Sequence, residues 1–273
     1  MDLATRTGAQ RRSEIPPAVL AGLNAGELES VNLVEWLAID MPTLLRNVAP
    51  EVGLTDEAAA LGAAADALTG LGIVKREKGI GAALFRALDG RPDRAAIFEA
   101  LAAHTSDMVR AWAVFVLLAD ERLTQPERLD ATRRFAADPA TGVRECAWDS
   151  FRPYLVQDLS AGLALLEAWV HDTDSNIRRF ASEVTRPRGV WTPHIPELKD
   201  NPQQALGLLE PLKSDSSRYV QNSVANWLND ASKSQPDWVQ AVCARWLDES
   251  PTKETAYIVK RALRTLRKQG VVA

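Results

Sequence analysis

The amino-acid sequence predicts an all-α protein built from repeated pairs of helices. Apolar residues recur at the three- and four-residue spacing of an amphipathic helix, as at Ile177, Phe180, Ala181 and Val184. No stretch of the first 90 residues alternates apolar and polar side chains for long, so strands are not expected there. From about residue 93 onward a signature recurs along the chain, and this repeat decides the architecture.

Five segments share the signature, which is a small or polar capping group, a β-branched core residue and then a long polar or basic residue. The core residues Val109, Val143 and Ile177 are 34 residues apart, and the gaps to Val220 and Val259 are 43 and 39 residues. Each segment begins one helix and follows another, and the preceding helices are predicted at 93–103, 126–137, 160–171, 203–212 and 236–247. Helix pairs of this period predict a HEAT-like solenoid, an α-α superhelix with a concave binding groove.

The ends of the repeat region define the predicted domains. Residues 1–17 are polar and finish with two prolines, which predicts a flexible N-terminal tail. Residues 18–273 are predicted to form a single HEAT-like domain, with N-terminal helices at 18–92 and regular repeats at 93–273.

The composition excludes several classes of protein. Hydrophobic residues make up 46% and charged residues 25% of the chain, and no apolar run approaches the roughly 18 residues of a membrane span. The N-terminus lacks the apolar region of a secretory signal, and Cys146 and Cys243 stand alone, so we expect buried free thiols in the cytoplasm. With three His and two Cys, neither a metal site nor a cofactor is expected.

Charge is distributed unevenly along a chain of net charge −4. Residues 176–191 contain four Arg and one Glu, and a local basic surface is enough for binding phosphates. The residue after each β-branched core residue is cationic in four of five repeats, and this row is Arg110, Arg144, Arg178, Gln221 and Lys260. Two interpretations remain open: a ladder of salt bridges to Asp residues of the loops, or a rail that binds phosphates.

A second row lies six residues after each core residue and contains Phe115, Asp149, Glu183 and Asn226. Trp148 and Trp227 are adjacent to this row, so carboxylates, an amide and indole rings share the predicted concave face. Aromatic side chains on a polar stripe indicate binding, although both indoles equally fit packing against neighbouring helices.

Three segments, at residues 146–153 (CAWDSFRP), 176–188 (NIRRFASEVTRPR) and 219–230 (YVQNSVANWLND), carry a family resemblance. They resemble the HEAT-like-repeat DNA alkylation-repair glycosylases AlkC and AlkD, with RRFASE–TRPR most similar to the AlkC branch. The resemblance covers about residues 90–250. It implies hydrolysis of the N-glycosidic bond of cationic alkylated bases, such as 3-methyladenine, without base flipping. It also implies binding of double-stranded DNA containing such bases. We expect a monomer, because a solenoid that holds DNA in its groove does not need a second copy.

The resemblance assigns roles to individual residues. Glu183 matches a functional Glu of the AlkC branch, Trp148 matches a lesion-facing position, and Asp149 is the second candidate for the acid. The candidate DNA-binding residues are Arg110, Arg144, Arg152, Arg178, Arg179, Arg186, Arg188 and Lys260. The candidate groove-lining residues are Trp112, Trp191, Asn226, Trp227 and Asn229.

Two positions depart from the AlkD pattern and keep other functions open. Arg152 stands where that branch has its catalytic Asp, and Asn226 stands where it has a second Trp. The alternatives are therefore a DNA-binding relative without catalysis, or a HEAT scaffold that binds a protein. Arg179 and Glu183 also have the spacing of an ordinary i,i+4 ion pair on a helix.

Overall fold

The computed structural model describes residues 6–271, and helices are the only regular elements within that range, which confirms the all-α prediction. The α-helices are α1 (Pro17–Ala25), α2 (Leu33–Ala38), α3 (Met41–Glu51), α4 (Ala58–Ala67), α5 (Ile73–Leu88), α6 (Arg94–Ala102), α7 (Asp107–Ala119), α8 (Gln125–Ala136), α9 (Thr141–Leu155), α10 (Leu159–Leu166), α11 (Ser175–Val184), α12 (Pro196–Asp200), α13 (Leu206–Leu209), α14 (Arg218–Ala231), α15 (Pro236–Glu249), α16 (Lys253–Ala262) and α17 (Arg264–Lys268). Short 3-10 helices occupy Arg12–Glu14, Trp169–His171, Pro202–Ala205 and Glu210–Leu212. None of the described helices is long and apolar enough to cross a membrane.

Residue contacts group the chain into two compact units, Met1–Ser150 and Phe151–Ala273, where the sequence predicted one domain. In the first unit α7 packs against α5, α6 and α8. Every residue of α7 from Asp107 to Leu117 is buried, because the helix is apolar around most of its circumference.

The second unit is built around α11, α14 and α16, which pack side by side and are the second helices of their predicted repeats. The Phe180 ring of α11 lies 4.8 Å from the ring of Trp169, and the indoles of Trp227 and Trp246 are fully buried. The helical period of the sequence therefore places α11 next to α14, and α14 next to α16.

The predicted tail, residues 1–17, differs from expectation in its described part. Arg6 forms an ion pair with Glu35 at 2.6 Å with both side chains buried, and Asn32 donates to the Ala9 carbonyl at 2.9 Å. Ile15 is buried as well. A buried carboxylate needs a charged partner, and Arg6 supplies it, so residues 6–17 are tied down. Residues 1–5 lie outside the described range.

Most predicted helix boundaries agree with the structure to within a few residues, and two predicted helices are interrupted. Residues 203–212 form a 3-10 turn, the four residues of α13 and a second 3-10 turn, since Pro211 cannot continue an α-helix. Residues 160–171 end as α-helix at Leu166 and finish with the 3-10 turn Trp169–His171. The N-cap of α11 is Asp174, whose carboxylate accepts from the Asn176 N–H at 2.8 Å.

Candidate active site

The final turn of α11 places a carboxylate among buried side chains. Ile177, Phe180, Ala181 and Val184 form the apolar face of the helix and are buried. Glu183 lies beside that face and is itself only 5% exposed. A charged group buried to this extent requires partners that compensate for the lost water.

Three side chains compensate the Glu183 carboxylate. Arg186 donates from Nη1 to Oε1 at 2.6 Å, and the Nη2 atom of Arg179 lies 3.5 Å from Oε2. The Ser223 hydroxyl on α14 donates to Oε2 at 2.6 Å. The Arg179 guanidinium also stacks over the Tyr219 ring, 4.3 Å from its centroid, which holds it in place.

These contacts determine the charge of Glu183. Burial alone raises the pKa of the carboxyl, but the charges of Arg179 and Arg186 and the hydrogen bond from Ser223 outweigh it. The resulting pKa is lower than that of an ordinary Glu, so Glu183 is an anion at neutral pH. An acid in this state can stabilise positive charge, and it has no proton to donate.

A second buried carboxylate, that of Asp230 on α14, belongs to the same cluster. Arg186 donates to Asp230 Oδ2 from Nε at 2.9 Å and from Nη2 at 2.6 Å, so one guanidinium bridges Asp230 and Glu183. Lys233 lies 3.1 Å from Asp230 Oδ1, and the Arg188 Nε–H donates to the Asp230 carbonyl at 3.2 Å. Sequence reasoning did not select Asp230, since its contact with Arg186 spans 44 residues. The only local signal was the i,i+3 spacing to Lys233.

Comparisons with known proteins match the part of the chain that contains this cluster. A model of the DNA alkylation repair enzyme family matches residues 143–266, a range that contains Glu183, Ser223 and Asp230. The chain is similar to the structure of Pseudomonas fluorescens alkylpurine DNA glycosylase AlkC bound to DNA containing an abasic site analog. Sequence identity is 30% and the TM-score is 0.73, over 84% of this chain and 63% of AlkC. By both comparisons the chain resembles the AlkC/AlkD-like DNA alkylation repair proteins.

Two further relatives define how far the similarity extends. AlkD2 from Streptococcus mutans shares the fold, with a TM-score of 0.57 and 24% identity over 75% of this chain and 96% of AlkD2. The uncharacterized protein YhaZ of Bacillus subtilis (strain 168) is 44% identical over 119 residues, which is 44% of this chain. The match covers 33% of YhaZ, so the chain spans less than two thirds of either YhaZ or AlkC.

The predicted cationic row is used largely for contacts within the protein. Arg110 donates from Nε to Asp138 Oδ2 at 2.8 Å and also pairs with Glu29, and Arg178 donates from Nε to Asp215 Oδ2 at 2.6 Å. At Arg110 burial lowers the pKa of the guanidinium, but Asp138 and Glu29 together outweigh it and raise the pKa. At Arg178 the hydrogen bond to Asp215 raises the pKa against the opposing effect of burial. For Arg110 and Arg178 the structure therefore shows the salt-bridge ladder rather than a phosphate rail.

The other members of this row differ from one another. The Arg144 Nη1 atom donates to the carbonyls of Asp138 and Pro139 at 2.5 and 2.7 Å, so part of its guanidinium also holds a loop. Gln221, the uncharged member of the row, likewise donates to a loop carbonyl, that of Asp215, at 2.6 Å. Lys260 is exposed on α16.

Arg152 is buried, which contradicts its predicted contact with DNA. Its side chain is 2% exposed, and it donates to the carbonyls of Val184 at 2.7 Å, Arg186 at 2.7 Å and Pro193 at 3.0 Å. These carbonyls belong to the end of α11 and to the segment that follows, which lack partners in the helix. Arg152 is thus a cap that holds this segment in place.

The predicted acid Asp149 and its neighbour Trp148 lie in the first unit. Asp149 is buried and pairs with Lys78 at 2.6 Å, and the same ammonium lies over the Phe115 ring at 5.9 Å. Trp148 is buried, with its Nε1–H donating to Glu145 at 3.0 Å. Because the indole ring is buried, the structure favours packing against neighbouring helices over lesion binding for Trp148.

The carboxylate of Glu77 lies next to Asp149 and is buried. It accepts from the Trp36 indole at 3.0 Å and from the Cys146 thiol at 3.9 Å. Burial raises its pKa to about 8, with the charge of Asp149 acting in the same direction and the Trp36 hydrogen bond opposing it. Cys146 and Cys243 are buried free thiols, as predicted.

The predicted groove-lining residues divide by exposure. Trp112 and Trp227 are fully buried, and the Trp227 Nε1–H donates to the Thr185 carbonyl at 3.0 Å, so both indoles serve packing rather than lining a groove. Trp191 is 51% exposed in the segment between α11 and α12. Asn226 accepts from Arg264 at 2.9 Å, and Asn229 accepts from the Thr265 hydroxyl at 2.9 Å.

Arg188 contacts the end of α14, and no metal site accompanies the cluster among the described residues. The Arg188 Nη2 atom donates to the Ser234 hydroxyl at 2.6 Å in addition to its bond with the Asp230 carbonyl, so this residue joins α14 to the segment after α11. Within residues 6–271, no group of three His, Cys, Asp or Glu side chains is placed to hold a metal ion.

Proposed function

We propose that the protein is a DNA glycosylase that hydrolyses the N-glycosidic bond of cationic alkylated bases, of the 3-methyladenine type. The observation that carries this proposal is the Glu183 carboxylate, buried and held as an anion by Arg186, Arg179 and Ser223. The match of residues 143–266 to the DNA alkylation repair enzyme family supports the same conclusion. The partner we propose is double-stranded DNA containing such bases, bound by a cytoplasmic monomer.

The state of the acid matches the chemistry of this substrate class. Cleavage of the glycosidic bond develops positive charge on the deoxyribose, and a fixed carboxylate nearby stabilises that charge. Neutral leaving groups need a general acid, whereas a base that already carries a positive charge departs without protonation. The lowered pKa of Glu183 makes it a poor general acid and a good anion, so it favours cationic lesions.

The second carboxylate extends this arrangement. Arg186 binds both Glu183 and Asp230, which fixes their side chains and places two negative charges beside one positive charge. A water molecule held by one of these carboxylates is the nucleophile we propose for the sugar carbon C1′. The likeness to AlkC and AlkD leads us to propose also that the lesion is held in a groove without base flipping.

A base-release assay tests the proposal. The purified chain is incubated with methylated duplex DNA, and the free bases are separated and identified by mass spectrometry. Release of 3-methyladenine is expected, whereas a neutral lesion such as hypoxanthine should remain in the DNA. Binding of DNA without release of any base would instead identify a relative that has lost catalysis. Absence of DNA binding at about 50 mM salt would identify a scaffold, because phosphate contacts are strongest at low salt.

A further inference from the structure

The C-terminal helices α16 and α17 carry the densest positive charge outside the α11 cluster. Between Lys253 and Lys268 lie six cationic side chains and a single carboxylate, Glu254, in a chain whose net charge is −4. The cations are Lys253, Lys260, Arg261, Arg264, Arg267 and Lys268. A local excess of this size marks a surface for a polyanion.

A tyrosine ring orders two guanidiniums on this surface. The Arg218 guanidinium of α14 lies 3.5 Å from the centroid of the Tyr257 ring, and that of Arg261 lies 5.6 Å from it. The Tyr257 hydroxyl donates to Asn222 at 2.8 Å, which fixes the ring. A stacked guanidinium keeps its N–H donors available at its edge, and among the described residues neither Arg218 nor Arg261 forms an ion pair with a carboxylate.

Arg264 connects this surface to the carboxylate cluster. It donates to Asn226 at 2.9 Å and to the Arg261 carbonyl at 2.8 Å. Burial and the nearby positive charges of Arg261 and Arg186 lower the pKa of its guanidinium, with only Asp230 acting in the other direction. Where a shift is resolved for another described arginine, it is upward, as at Arg110 and Arg178. Arg264 therefore lies among positive charges that lack sufficient anions.

The character of the surface favours nucleic acid over protein as its partner. The centres of protein interfaces are apolar and depleted of charge. None of the exposed large hydrophobic residues of the described chain lies between Lys253 and Lys268. Planar guanidinium groups bind phosphate through two parallel N–H donors, which suits the backbone of DNA.

We propose that Arg218, Arg261 and Arg264 bind phosphates of the DNA strand and anchor it beside the Glu183–Asp230 cluster. This inference rests on the proposed function and assigns phosphate binding to arginines outside the predicted cationic row, whose last member, Lys260, lies on the same surface. Arg110 and Arg178 of that row are occupied by Asp138 and Asp215. In this assignment Tyr257 is a positioning residue that keeps Arg218 and Arg261 in place.

The test is the salt dependence of binding to undamaged duplex DNA, measured by fluorescence anisotropy between about 50 and 200 mM salt. The logarithm of the association constant decreases as the logarithm of the salt concentration rises. In the triple variant R218Q/R261Q/R264Q this slope should become less negative by about 2–3, because each lost phosphate contact contributes about 0.9. The matched control is Arg245→Gln, an arginine on α15 that pairs with Glu210 and Glu249 and should leave the slope unchanged. Circular dichroism and urea unfolding verify that each variant is folded.

Tyr257 variants separate positioning from charge. Tyr257→Phe should retain nearly the full slope, since the ring face remains, whereas Tyr257→Ala should lower it. A triple variant with the slope and affinity of the Arg245→Gln control would overturn the inference. Failure of the proposed function would look different: the wild type would bind DNA with the expected slope and release no base.

Discussion

Replacement of Ser223 by alanine should raise the pKa of Glu183, because it removes a hydrogen bond to the ionised carboxylate. The Ser223 hydroxyl lies 2.6 Å from Glu183 Oε2, and both residues are buried. A hydrogen bond to a charged group contributes about 1.5–3 kcal/mol. Without it the pKa of Glu183 should rise, with Arg186 and Arg179 still favouring the anion.

The same substitution has a consequence for stability that depends on pH. The folded-state pKa of Glu183 lies below its ordinary value of 4.5, so this group stabilises the fold above that pH and ceases to do so as pH falls through the folded pKa. Ser223→Ala should lower the free energy of unfolding by about 1.5–3 kcal/mol at pH 7. The loss should shrink only below pH 4.5, as the pH falls through the folded pKa of Glu183 and the carboxylate becomes protonated.

Urea unfolding at about pH 7 and at the lowest pH at which the wild type is still folded, followed by tryptophan fluorescence, measures this difference. Ser232→Ala is the matched control. Ser232 is the C-cap of α14 and is also buried, but its hydroxyl donates to the Asn229 carbonyl at 2.9 Å, and a carbonyl does not titrate. Its effect should be the same at both pH values. Equal losses at both pH values for Ser223→Ala would refute the claim that Ser223 stabilises an ionised Glu183.

Three further predictions follow from the structure. Arg152→Met should lower the free energy of unfolding by about 2–5 kcal/mol in urea titrations, because buried carbonyls lose their donors, whereas the partly exposed Arg134→Met should cost less than about 1 kcal/mol. The wild type should lose roughly 2–3 kcal/mol of unfolding free energy between about pH 5 and pH 7, because the pKa of Glu77 is raised to about 8 in the folded protein and is lower in the unfolded chain. Glu77→Gln should abolish this pH dependence in urea titrations. Trp191→Ala should slow single-turnover release of 3-methyladenine by about 3- to 30-fold, the value of one cation–π contact, and change thermal stability little; an unchanged rate would exclude Trp191 from lesion binding.

The sequence was sufficient for the fold because the relevant signals are local. The 34-residue spacing of Val109, Val143 and Ile177 predicted helix pairs, and the described chain is helical. The apolar spacing along α11 identified its buried face, and Glu183 lies at the edge of that face. Interruptions of the helices were harder to predict, as at Pro211, where one residue ends a favourable apolar pattern.

The partners of the charged residues could not be predicted in the same way. The same arginine pattern fits a phosphate rail and a ladder of ion pairs, and the choice depends on contacts such as Arg178 with Asp215, 37 residues apart. Arg152 illustrates the point, because its partners are main-chain carbonyls, which leave no mark on the sequence. Burial of Trp227 depends likewise on packing between helices.

Single-turnover kinetics of Glu183→Gln test directly whether the Glu183 anion stabilises the transition state of base release. Glutamine keeps the shape and the acceptor for Ser223 but removes the charge. The rate of 3-methyladenine release should fall by about 100-fold or more, with DNA affinity within a few-fold of the wild type. A folded Glu183→Gln variant that releases the base at the wild-type rate would show that the Glu183 charge does not stabilise the transition state.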